Sequence, residues 1–297
     1  MQCTTGPDGV AQAVRSHYEA LGELYRAARG DSLHFAVFHA DEDRSQAVTA
    51  MERMLADEAG MRQGDSVLDV GCGTGGPAIA VAAHSGVHVT GIDLVPGHVE
   101  RARVRAAEHR LEDRTEFVEG DATEMPFPDA SFDHVYAIES AYHAADKPRF
   151  YAECARVLRP GGSFVGTDWL RGAASNGDHA AVLERLYEQF AIPSLIDLTT
   201  LRRHLVAAGL VPDVVEDLSN LGNVERNWDA LELTIWPRLA RAARNAPPNA
   251  LRTFAQGAKT ISEAAASGAF VLGHWRARRA APEGSLASGR RFCRTGQ

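Results

Sequence analysis

Four cysteines in 297 residues, at positions 3, 72, 154 and 293, show no pair spacing. That excludes a disulfide framework or a cysteine zinc site and points to reduced thiols in a cytoplasm. No apolar run approaches the length needed to cross a bilayer. The opening residues MQCTTGPDGVAQAV lack the basic and apolar regions of a signal peptide. The expectation is a cytoplasmic protein without membrane insertion. Basic charge is in deficit, with 31 Lys and Arg against 39 Asp and Glu and a net charge of −8, which argues against a nucleic-acid surface. Twelve histidines are present, yet none stands with acids at i, i+4 ligand spacing, so no metal is expected. No internal repeat is found. A chain of this length can bury most of its apolar surface without staples.

What is present is concentrated at residues 67–76, VLDVGCGTGG. The short apolar run reads as a buried parallel strand. The glycines permit positive φ and let a ligand approach bare backbone. Pro77 then opens a helix. Two ligand classes use such a turn. A dinucleotide would place its pyrophosphate on the helix start, and S-adenosylmethionine would place its amino-acid end and ribose nearby. The spacing G-x-G-x-x-G is met but weak alone. Asp69, two residues before Gly71, favours the second class. Its carboxylate would repel a pyrophosphate and suit a methionine ammonium, directly or through water. The alternative is that Asp69 only braces the turn.

Along the chain, residues 10–29 read as a helix with Val14, Tyr18, Leu21 and Tyr25 on one face. The aromatic-rich segment 33–39 is either core or a lid over the glycine turn, and 45–59 is a second helix. Strands are expected at 87–93, 115–119, 132–138 and 163–168, with helices at 96–110 and 146–158. This alternation means a doubly wound parallel sheet. Asp93, Asp121 and Glu139 fall at the carboxyl ends of three successive strands, the edge where such sheets bind ligands. Asp93, twenty residues beyond Gly73, stands where a carboxylate accepts from both ribose hydroxyls. Asp121 could accept from an adenine amino group or cap its own turn. Helices at 178–191 and 197–208 and a strand at 211–216 follow. Residues 226–268 read as a helical insertion carrying Trp228, Leu231, Leu233, Ile235, Trp236, Leu239 and Phe254, either ordinary packing or the roof of an apolar pocket. A last strand is expected at 270–277. The tail 280–297 lacks periodicity and is expected to be disordered.

The segments VLDVGCGTGG, GID with Asp93, GDATEMPFPDASFDHVYAIES and RVLRPGG together resemble the class I S-adenosylmethionine-dependent methyltransferases over residues 67–168. The resemblance implies an α/β, Rossmann-like, doubly wound seven-stranded sheet with its last strand antiparallel. It implies that Gly71 and Gly73 form the cofactor turn, Asp93 holds the ribose, Asp121 and Ala122 frame the adenine, and Leu94 and Ile138 join the cofactor site. The segment HYEALGELYRAARGDSLHFAVF resembles the N-terminal lid of the small-molecule subgroup, which includes sterol, tocopherol and geranyl diphosphate C-methyltransferases and natural-product enzymes. There Tyr25 and the His34-Phe35 pair are implied to approach the methionine end. The subgroup has Gly after that pair, whereas this chain has Ala36. The stretch AIESAYHA implies a place for Glu139 against the acceptor.

The expected organisation is an N-terminal helical lid (1–60), a cofactor-binding core (61–225), an acceptor-pocket insertion (226–268), the last core strand (269–279) and the tail. The expected reaction is methyl transfer from S-adenosylmethionine to a small, largely apolar acceptor. If the acceptor atom is an alkene carbon, Glu139 fits the tasks of stabilising a cation and removing a proton. If it is oxygen or nitrogen, His143 is the base, and its alternative is a packing histidine. Glu139 and His143 could share a helical face and act as a pair. The rivals are a nicotinamide-dependent dehydrogenase and a nucleotide-sensing module that kept the fold without the chemistry. The expected partner is the small-molecule acceptor, with no nucleic acid and with a homo-oligomer possible.

Overall fold

The apolar runs form one seven-stranded sheet in the computed structural model of the chain, which describes residues 6–39, 41–173, 179–228 and 236–281. Strands β1 (Ser66–Val70), β2 (His88–Asp93), β3 (Thr115–Glu119), β4 (Phe132–Ile138) and β5 (Leu158–Arg171) pair in parallel. β7 (Phe270–Arg279) lies antiparallel between β5 and β6 (Leu210–Asp217). The order is β3-β2-β1-β4-β5-β7-β6. The chain leaves β1 on one side for β2 and β3, then crosses to β4 on the other. That reversal makes the carboxyl ends of β1 and β4 the switch point, where open α/β sheets bind ligands.

Both faces of the sheet are covered, which is why the strands read as continuous apolar runs. Val67, Tyr136 and Val165 point into one core, with helices α2 (Arg44–Ala59), α3 (Gly76–Ser85), α4 (Pro96–Glu108), α6 (His179–Phe190) and α9 (Ala250–Ala266). Leu68, Val70, Val135 and Phe164 point into the other, with α5 (Lys147–Val157) and α7 (Leu198–Ala207). Helix α1 (Pro7–Arg29) packs Leu21 and Leu24 against Leu239 of α8 (Trp236–Ala242) and Phe254 of α9. Leu24 has no exposed surface, and burying one leucine is worth about 1.5–3 kcal/mol.

Several boundaries move. β5 starts at Leu158, not 163, because Leu158 pairs with Phe132, and a register shift between Phe132 and His134 accommodates the Pro160-Gly161-Gly162 turn. β7 extends to Arg279 because it pairs on both edges. Phe35, Ala36, Val37 and Phe38 are buried, and Phe38 bridges Asn223. That part of the 33–39 segment is therefore core. Within the proposed insertion, residues 229–235, including Leu231, Leu233 and Ile235, and the Trp236 side chain lie outside the described residues. So do residues 1–5 and 282–297, with Cys3, Cys293 and nearly all of the expected tail. Cys72 and Cys154 are free thiols and buried.

Candidate active site

A cavity of about 310 Å³ opens at the switch point, within the size range of small-molecule sites. Its floor is the turn after β1. Gly71, Gly73 and Gly75 have φ of +77°, +53° and +80°, a region side chains rarely adopt. A Cβ on Gly71 would lie 2.3 Å from that of Ser140. Only glycine lets the end of β4 close on the turn. A Cβ on Gly73 would meet nothing within 4 Å, so bare backbone faces open space where this residue lines the cavity.

Asp93 ends β2 at the cavity wall, 8% exposed. Its Oδ2 accepts from the Gly73 amide at 2.8 Å. Its Oδ1 accepts from the Val95 amide at 2.9 Å and pairs with His98 Nδ1 at 3.1 Å. An ionised carboxylate has about four acceptor sites, so three are occupied. The expectation that a free carboxylate grips two hydroxyls is therefore narrowed to one remaining site. Leu94, Ala122 and Ile138 also line the cavity. Asp121 lines it too, but its Oδ1 accepts from the amide and hydroxyl of Thr123, both at 2.7 Å, so it caps its own turn.

Asp69 is a correction. It is 1% exposed and does not line the cavity. Side chains alternate along a strand, so Asp69 shares the face of Val67, opposite Tyr136 in register. Burial pushes the Asp69 carboxyl up to about 8, so it is largely uncharged at neutral pH. Direct charge contact with a ligand does not follow from this placement.

Glu139 enters from the end of β4 with φ +50°, beside the Ser140 that closes on the Gly71 turn. Such a conformation in a non-glycine residue costs about 1–3 kcal/mol and clusters at functional sites. Its carboxylate accepts from the Phe35 amide at 2.6 Å and from Trp169 Nε1 at 2.7 Å. Burial raises its pKa against the opposing pull of His34, these two donors and Arg29. Aromatic rings surround it. Tyr142 stacks on Trp169 with centroids 4.6 Å apart, and Phe190 meets Trp169 edge-on at 5.2 Å.

The expected Glu139–His143 pair does not form. His143 sits in a short 3-10 turn, Ala141–His143. Its Nδ1 faces the Ala191 carbonyl at 3.4 Å and its Nε2 faces the Tyr18 hydroxyl at 3.0 Å. The carbonyl can only accept, so Nδ1 carries the proton and Nε2 accepts from Tyr18. Burial lowers this histidine to about 3, and it is neutral at physiological pH.

His34 lines the cavity, but both ring nitrogens are engaged, Nδ1 with the Phe35 carbonyl at 2.7 Å and Nε2 with Glu52 Oε1 at 3.1 Å. Both partners accept, so His34 is an imidazolium. Burial works against that charge, yet Glu52, Glu139 and the carbonyl raise the pKa overall. The Phe35 side chain does not line the cavity, a second correction. Its ring is 1% exposed and stacks on Trp169 at 5.6 Å, while its amide holds Glu139. Tyr25 lines the cavity and its hydroxyl meets His17 Nε2 at 3.0 Å. The described part of the 226–268 insertion contributes no cavity wall. It backs α1 instead, with Phe254 packed edge-on against Tyr25 at 5.4 Å.

Arg29, His98, Tyr142, Trp169 and Phe190, none of them singled out from the sequence, and Tyr18, read there only as part of a helix face, all line the cavity. The seven-residue spacing of Tyr18 and Tyr25 was the available signal, since it puts both on one face of α1.

A family model described as a methyltransferase domain matches residues 68–166. The 27-O-demethylrifamycin SV methyltransferase of Amycolatopsis mediterranei is 39% identical over 205 residues, covering 68% of this chain and 75% of that protein. A sterol 24-C-methyltransferase of Gibberella zeae is 42% identical over 163 residues, covering 55% of this chain and 43% of that protein. The chain thus spans about half the length of the sterol methyltransferases it matches. Among solved structures, the geranyl diphosphate C-methyltransferase of Streptomyces coelicolor aligns with a TM-score of 0.70 at 17% identity, covering 91% of this chain and 98% of that one. The phosphoethanolamine N-methyltransferase 2 of Haemonchus contortus aligns with a TM-score of 0.70 at 21% identity, covering 90% and 60%. At these identities the structural matches speak for the fold alone.

Proposed function

The chain belongs to the class I S-adenosylmethionine-dependent methyltransferases, and from that premise we propose that it methylates a small, largely apolar acceptor, with carbon as the methylated atom. The open cradle at Gly73 and the Asp93 carboxylate beside it fit this cofactor. Gly71, Gly73, Asp93, Leu94, Asp121, Ala122 and Ile138 are the residues that would hold it. When bound, the cofactor supplies an electrophilic methyl group on a sulfonium.

One observation carries the reading of the acceptor end. The Glu139 carboxylate is held in a cavity whose walls include the rings of Tyr18, Tyr142, Trp169 and Phe190. Apolar walls select an apolar acceptor and exclude water. Ring faces stabilise positive charge that develops on an alkene when its carbon is alkylated. Glu139 offsets the same charge and accepts the proton that restores the double bond. The Phe35 amide and Trp169 Nε1 fix the carboxylate in place. His34, as an imidazolium locked to Glu52, fixes the chain segment that carries Phe35. Helix α1 is the roof of this end, since Tyr18, Tyr25 and Arg29 come from it. The sterol methyltransferase relatives support an isoprenoid-like acceptor.

A second reading rests on the Tyr18–His143 hydrogen bond. His143 Nε2 is a neutral acceptor at the cavity wall, suited to take a proton from an acceptor hydroxyl if Tyr18 turns aside. The rifamycin relative supports oxygen as the acceptor atom. The test is incubation with isotopically labelled S-adenosylmethionine and a panel of isoprenoids, sterols and apolar phenols, with NMR of the product. A new carbon–methyl bond supports the first reading and a methoxy group the second. Turnover of small polar amines alone would overturn both.

A further inference from the structure

Arg29 stands in the last turn of α1, with its side chain at the aromatic end of the cavity. Its Nη1 donates to the Leu33 carbonyl at 3.2 Å, and its guanidinium carbon lies 4.1 Å from the centre of the Phe35 ring. Among the described residues it has no ion pair within 4 Å. Two buried cations near the cavity are matched by acids. His34 has Glu52 at 3.1 Å, and Arg105 has Asp31 at 3.2 Å. Glu139 acts on Arg29 through its charge, and its two oxygens accept from Phe35 and Trp169. A guanidinium offers five N–H donors in a planar fork. One is used here, and among the described residues no Arg29 nitrogen is both sealed and unpartnered. The remaining donors therefore keep accessible surface on a residue that lines the cavity.

Burying a cation without a partner is costly. Burial lowers the Arg29 pKa, with Glu139 and the Tyr25, Tyr142 and Tyr18 hydroxyls opposing. The guanidinium carbon lies over the Phe35 ring in cation–π contact. A guanidinium fork can make a bidentate contact with a planar oxyanion. A purely apolar acceptor would leave those donors unpaired.

We propose that Arg29 is an oxyanion anchor inside the cavity, pairing edge-on with a carboxylate of the bound ligands. The inference rests on the methyltransferase reading of the same site. Two sources have this chemistry, the amino-acid carboxylate of the cofactor and an acidic group on the acceptor. The first makes Arg29 a cofactor-binding residue. The second makes the acceptor an amphipathic acid, with an apolar body among the rings and a charged end at Arg29.

The test is calorimetric titration of the full chain and its R29M and R29K variants. The probes are S-adenosylhomocysteine, its decarboxylated analogue, and, on protein loaded with S-adenosylhomocysteine, decanoate and decanol. A charge-assisted bidentate contact predicts a loss of about 10–100-fold in R29M for one carboxylate probe. The matching uncharged probe should be unchanged, and R29K should recover part of the loss. A loss confined to S-adenosylhomocysteine assigns the cofactor carboxylate, and one confined to decanoate assigns the acceptor. If wild type prefers neither carboxylate probe over its uncharged match, Arg29 is not an anchor, and this comparison needs no variant to fold. Failure of wild type to bind S-adenosylhomocysteine at all would instead overturn the cofactor reading beneath the proposal.

Discussion

Replacing Glu139 by Gln keeps its shape and removes its charge, and the hydrogen bonds fix what else must follow. Both carboxylate oxygens accept, one from the Phe35 amide at 2.6 Å and one from Trp169 Nε1 at 2.7 Å. Glutamine has one acceptor oxygen and one NH₂ group. Whichever way it turns, one of the two donors loses its partner and faces another donor. Leaving one buried donor unsatisfied costs about 1–3 kcal/mol. For a chain of this size, with roughly 2–4 °C of Tm per kcal/mol, the melting temperature should fall by about 2–12 °C. The catalytic loss should be larger. A positioned acid or base is worth about 10²–10⁴-fold in turnover, and the affinity for S-adenosylhomocysteine should change less than about tenfold. The assay set is thermal denaturation, calorimetry and initial rates at saturating acceptor, with wild type alongside. E139Q that melts lower but turns over like wild type would make Glu139 a strut between Phe35 and Trp169 and refute its part in the reaction. Loss of cofactor affinity with unchanged turnover at saturation would recast it as a cofactor ligand.

D93N should weaken S-adenosylhomocysteine by about 10–100-fold, because a charged acceptor is lost both to the ligand and to the Gly73 amide that shapes the cradle; calorimetry reads this, and unchanged affinity would remove Asp93 from the ribose site. The His34–Glu52 pair should make stability depend on pH. The His34 pKa is raised above its ordinary 6.5 in the folded chain, so its contribution is full below about 6.5 and is lost as pH rises through the folded value. Denaturant unfolding should therefore show a larger gap between wild type and E52Q at pH 6 than at pH 9, and an equal gap would mean that His34 is not the imidazolium. His143 has the opposite sign. Lowered from 6.5 to about 3, it resists the proton that the unfolded chain takes up below 6.5, so H143Q should lose less stability than wild type between pH 7 and pH 5.

The sheet was legible because its signals are local. The β1 run, the glycine turn and the acids at strand ends are each set by a few neighbouring residues, and the resemblance over 67–168 added the antiparallel last strand. Asp69 was misread because the ligand edge of a sheet is not the same as its face. A residue one position from the strand end points into the packed layer beside Tyr136. The acceptor end was only partly legible. Glu139 could be placed at a strand end, but its partners Phe35 and Trp169 lie 104 and 30 residues away, and no local period encodes such contacts. The apolar face of α1 could be read from its spacing, and Tyr25 was implied at the ligand by the resemblance, but neither showed that Tyr18 and Arg29 would face the same cavity while Leu21 and Leu24 face α8 and α9. The composition of the insertion left ordinary packing and a pocket roof both open, and its described helices buttress α1.

The central claim is that the Gly71–Gly73 turn and Asp93 hold S-adenosylmethionine at the switch point of the sheet. The most direct measurement is calorimetric titration of the purified full chain with S-adenosylhomocysteine and, separately, with NADH, on wild type and on Gly73→Ala. At Gly73 a methyl group has no protein atom within 4 Å, so the substitution costs only the left-handed backbone, about 1–2 kcal/mol, while intruding on the cradle. The account predicts one saturable site for S-adenosylhomocysteine in wild type, none for NADH, and an affinity at least about tenfold weaker in Gly73→Ala, equivalent to about 1.4 kcal/mol. Binding of NADH, or S-adenosylhomocysteine bound equally well by both proteins, would contradict it.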